Sequence, residues 1–168
     1  MTPRRSPLTG LALGELGFTA LLVGVWALGW PRGFYDRFPG IGAWVAGDGP
    51  FNEHLVRDVG GLNLSLAALT CWAWRRPEQV PAPVVGWVTL VAAVPHLLYH
   101  AGHLQTLASH AERLSSLAGL LGTVVCAAVL VVPARPQRRR RGARDHASAR
   151  KTDLKTAAGR PVARQADR

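Results

Sequence analysis

Cysteine is scarce in this sequence, and so are the patterns that mark the commoner catalytic centres. Its two cysteines, Cys71 and Cys126, sit inside apolar stretches, and neither has the CxxC or Cys/His spacing of a thiolate metal site. They read as buried residues and give no disulfide framework. No phosphate-cradling glycine pattern, nucleophile elbow or HExxH motif occurs, so the chemistries those motifs carry have no support here. Charge is also scarce over residues 1–133, which hold eight basic side chains against seven acidic ones.

The apolar residues are gathered into four blocks instead of being spread in amphipathic periods. Leu8–Trp30, Leu55–Trp74, Val84–His103 and Leu114–Val132 each run to about twenty residues, the length a helix needs to cross roughly 30 Å of hydrocarbon. The expected fold is all-α, a four-helix transmembrane bundle over residues 1–133. The first block is preceded by Arg4 and Arg5 as a signal peptide would be, but it contains Glu15, ends in a Trp-rich boundary and lacks a small-x-small site before Pro31. An uncleaved first span fits it better.

Residues 134–168 form the second region. Ten Arg and two Lys stand there against Asp145, Asp153 and Asp167, so this stretch carries +9 of the formal +10. Basic, Ala-rich and poor in aromatics, it reads as a disordered tail. The run Arg138–Arg141 beside a bilayer attracts anionic lipid headgroups, at about 1 kcal/mol per residue. Without an accompanying aromatic or folded reader, the charge argues against nucleic-acid binding.

Short-loop charge sets the expected orientation. Arg4 and Arg5, Arg75 and Arg76, and Arg135 with Arg138–Arg141 place both termini and the loop between the second and third spans in the cytoplasm of a plasma-membrane protein. The loop 31–54 and the short loop around Gln105–Arg113 then face outward. Gly and Pro punctuate the first of these, which rules against a long regular element, although Ile41–Val45 has the character of a short interfacial helix. Trp44 and Phe51 are expected to anchor that loop at the lipid surface.

Ionisable residues within spans need a partner or a wet cavity. His54 and Asp58 lie four apart at the outer start of the second span, with Arg57 between them and Gly61 and Ser65 continuing the stripe. His96, His100 and His103 recur at successive turns of the third span, beside Tyr99 and just beyond Pro95. The two spans run in opposite directions, so both polar ends reach the outer leaflet, where His110 and Glu112 open the fourth span. Facing pairs of this kind, His54 with Asp58 and His96 with His100, have the ligand types for zinc or iron. Arg57, Tyr99, His103 and Glu112 are then candidates to orient those ligands or carry protons.

Three readings of the cluster stay open: a hydrogen-bonded packing network, a metal or haem site, and a proton or ion relay. Glu15, about two turns into the first span, stands apart from it. Four helices are few for a secondary transporter unless the chain forms a homo-oligomer.

The stretches YDRFPG, FNEHLVRDVGGLNLSLA and VPHLLYHAGHL, over roughly Phe34–His103, resemble a group of small, uncharacterised four-span membrane proteins of high-GC actinobacteria. The resemblance implies four spans and no particular reaction. It also implies that Tyr35, His54, Arg57, Asp58, Asn63, His96, His100 and His103 are motif positions. Membrane diiron hydroxylases carry HxxxH boxes too, but several of them, and this chain has one rich box plus the isolated His54. The sequence therefore leads to a structural or partner-binding bundle as the first functional reading, with a metal- or haem-binding enzyme or a proton-linked carrier as alternatives.

Overall fold

The computed structural model describes residues 5–40 and 42–132. The described residues form five α-helices: α1 (Pro7–Gly29), α2 (Pro31–Arg37), α3 (Glu53–Arg75), α4 (Ala82–Gly102) and α5 (His110–Val131), with single 3₁₀ turns at Ala46–Asp48 and Leu104–Thr106. No strand occurs among them. The helices α1, α4 and α5 are long and apolar enough to cross a membrane, the mark of a membrane protein. The basic tail 134–168 lies outside the described residues.

Each long helix begins where its sequence supplies a cap. Ser6 accepts from Thr9 N at 3.1 Å ahead of Pro7, a residue pre-set for the first helical position. Asn52 accepts from Leu55 N at 3.1 Å to start α3. A reciprocal capping box joins Ser109 and Glu112, each bond 3.1 Å, at the start of α5. That cap is why α5 opens at His110, one turn before the apolar block at Leu114. The first helix stops at Gly29, and Pro31 restarts the chain as α2 in a new direction.

Two antiparallel pairs make the bundle, α1 with α3 and α4 with α5, and α1 also packs on α5. Glycine sets the closeness of both pairs. A Cβ on Gly24 would lie 2.9 Å from Leu64 N, and one on Gly60 would lie 2.6 Å from Leu28 N, so neither position has room for a side chain. Gly86 plays the same part between α4 and α5, with Ala127 O at 2.7 Å from the missing Cβ. Such close approach lets helix backbones meet where lipid offers no hydrophobic drive for association.

The core is split by level. At one end Leu13, Leu16, Ala73, Val85, Ala127 and Leu130 from all four long helices pack together. At the other, Ala27, Phe34 and Val56 form a second cluster with Trp26, Phe38, Val45 and Phe51. Outward-facing Phe18, Leu62, Val91 and Leu114 are each about two-thirds exposed or more, a surface suited to lipid and unsuited to water. Near the first end, Arg5 donates to the carbonyls of Ala73 and Trp74, the former at 2.6 Å, with its guanidinium over the Trp74 ring. A cation on the last carbonyls of α3 complements the negative end of that helix.

Candidate functional site

The segment between α1 and α3 is the part the sequence read least well. The expected interfacial helix at Ile41–Val45 is absent over the described residues 42–45. Instead Ala43 bridges back to Pro39, and the regular pieces are α2 and the turn Ala46–Asp48. This loop closes over the start of α5 and the α4–α5 connection. Gly42 lies against Glu112, whose Oε1 is 2.5 Å from where a Cβ would be, and Gly47 lies against Thr106 O at 2.7 Å.

Aromatic side chains fill the underside of the loop. Phe38 packs edge-on against Trp26 and Trp44, with centroids 5.7 and 5.9 Å apart, and tilts against Phe34 at 4.6 Å. Trp44 reaches inward to the position of Gly119 on α5. Tyr35 donates to Gly49 O at 2.5 Å, and Phe51 packs on Tyr35 beneath the Arg32 guanidinium. These contacts tie the loop to itself and to the bundle.

The loop also delivers a carboxylate to α4. Asp48 Oδ2 lies 3.9 Å from His100 Nδ1, with both side chains mostly buried. His96, one turn earlier on α4, meets the His100 ring edge-on with centroids 4.6 Å apart. Tyr99 stacks on His103 at 4.2 Å, and His103 Nδ1 contacts Tyr99 O at 2.7 Å. The sequence placed His103 on the same helical face as His96 and His100. The helix instead ends at Gly102, and His103 is its cap, turned onto Tyr99.

On α3, His54 Nε2 lies 3.3 Å from Asp58 Oδ2, and both are exposed. Arg57 pairs with Glu53 at 2.8 Å and donates to Leu28 O on α1 at 2.5 Å. Asn63 and Ser65 return their donors to carbonyls of their own helix, Val59 and Gly61. Glu112 is engaged in the α5 cap, and His110 is exposed beside it.

The four residues expected to share a metal thus fall into two pairs, His54 with Asp58 and His96 with His100. Among the described residues, no three His, Cys, Asp or Glu side chains converge as metal ligands would. The residue that sequence reasoning missed is Asp48, a lone acid in a Gly-rich loop with no periodicity to link it to α4. Compared with known proteins, the chain matches no family model, no curated protein and no solved structure.

Proposed function

We propose that this is a four-crossing membrane protein that works as a structural, partner-binding bundle, with both termini on the cytoplasmic face of the plasma membrane. The fourth crossing is α3. It is more polar than the other three, but it packs along α1 from Gly60 beside Leu28 to Trp74 beside Gly10. A helix paired with a membrane-crossing neighbour over that length occupies the same slab of lipid. Exposed Trp30 at one end, with Trp72, Trp74 and Trp87 at the other, fits the interfacial belts.

The observation that carries the binding role is the outer face of α3. His54, Asp58, Ser65 and Ala68 lie on one exposed stripe with Gly61, pointing away from the chain's own bundle. Polar and ionisable groups in a span face protein or water, and small residues beside them admit a second helix. The occupant this surface fits is a membrane helix with complementary polar groups. The loop cluster around Asp48 and His100 serves to pin the cap onto α4.

Ser65→Trp tests the role, since Ser65 is exposed and the change removes from α3 only the hydroxyl's bond to Gly61 O. In mild detergent extracts, the wild-type protein is expected to migrate as a complex larger than one chain and the variant as the single chain, with equal thermal stability. Wild type and variant both running as single chains would overturn the reading.

A further inference from the structure

Among the described residues, two buried side-chain polar atoms lack a hydrogen-bond partner: Glu15 Oε2 and Trp44 Nε1. Both belong to side chains that border the packing of α1 on α5. Glu15 Oε1 accepts from Thr19 at 3.1 Å on its own helix, and Cys126 lies close to the same carboxyl from α5. Trp44 descends from the loop to Gly119, its ring 4.0 Å from where a Cβ would stand. On α5, Gly119 and Cys126 are two turns apart, about 10 Å along the axis.

Thr123 lies between them, on the same face by the alternating spacing of three and four residues. Its hydroxyl donates to Gly119 O at 3.1 Å, leaving the oxygen free to accept. The stripe continues toward the loop through Ser116, which is 2% exposed, to Glu112 beneath Gly42. One face of α5 therefore carries a polar group at nearly every turn from the loop to Glu15.

Buried polar atoms are almost always satisfied, by protein or by water held between two to four polar partners. An orphan donor and an orphan acceptor near the two ends of one polar seam meet that requirement. We propose that water enters the α1–α5 seam from the loop side, past Trp44 and Thr123, and that Glu15 at its far end is a proton-exchange site. Cys126 is the titratable group that faces Glu15 from α5. On the α3 side, the neighbouring stretch of α1 meets the γ-methyl of Thr70 beside Gly17, the Thr70 hydroxyl donating to Leu66 O, and Arg5 is held farther down at the end of α3. The site stands whether or not α3 binds a partner.

The test is dicyclohexylcarbodiimide, which adds to carboxyls in their acid form within apolar surroundings, applied to the full-length protein in detergent. An adduct mapped to Glu15 is expected, absent from Glu15→Gln. Hydroxyl-radical footprinting, which marks side chains touching internal water, is expected to label Trp44 and Cys126, with Cys126 labelling several-fold lower in Thr123→Val. Folded wild-type protein with no adduct at Glu15 would overturn the exchange site. Equal Cys126 labelling in wild type and Thr123→Val would overturn the water route.

Discussion

Neighbouring glycines on α3 have opposite duties. Gly60 abuts the backbone of Leu28, whereas a Cβ on Gly61 would meet nothing within 4 Å. Gly60→Ala therefore forces α1 and α3 apart and is expected to lower stability by about 1–3 kcal/mol. Gly61→Ala removes backbone freedom from the unfolded chain without a clash and should raise it by about 0.4–1 kcal/mol. Thermal denaturation of the two variants in detergent checks the pair, and a destabilised Gly61→Ala beside a neutral Gly60→Ala would reverse the assignment of faces. Arg57 acts across the same interface, through its bond to Leu28 O. Charge-assisted bonds of this type are worth about 1.5–3 kcal/mol at most, and Arg57→Ala should approach the lower figure because its side chain is 45% exposed.

Helix boundaries follow the caps more closely than they follow hydrophobicity. The apolar blocks located all four long helices, because burial and span length leave the same signature in sequence. Their ends were set by Ser6, Asn52 and the Ser109–Glu112 box, whose polar side chains lie outside or at the edge of the apolar runs. Ser109→Ala is expected to lower stability by about 1 kcal/mol and to fray the first turn of α5. Faster amide hydrogen exchange confined to His110–Arg113 would register it, and unchanged exchange there would count against the cap. The loop over α5 was illegible for a different reason. Its fold depends on contacts with Glu112, Thr106 and Gly119, more than fifty positions away, and no local period encodes contacts of that range.

At the scale of the whole molecule, two antiparallel helix pairs joined through α1 and α5 are closed at one end by an aromatic-lined loop. The sequence brought the histidines of α4 and the polar start of α3 to that end correctly as a matter of topology. Among the described residues no three His, Cys, Asp or Glu side chains gather there as metal ligands would, since spacing along a helix fixes which residues share a face but not which helix that face meets. α4 packs chiefly on α5 and α3 chiefly on α1, with His96 against His100 on the one and His54 against Asp58 on the other. Asp48, supplied by the loop, became the partner of His100 instead. His100 meets the loop through Asp48, and α3 carries the exposed stripe on which the proposed binding role rests.

The most direct test is the metal and haem content of detergent-purified full-length protein, measured together with thermal stability for wild type and His100→Ala. No stoichiometric metal or haem is expected in either protein, and the midpoint is expected to fall in the variant by the loss of about 1 kcal/mol, the scale of one partly buried polar contact. Near-stoichiometric metal or haem in the wild type, lost in His100→Ala with the midpoint unchanged, would contradict that expectation and make the histidine cluster a cofactor site.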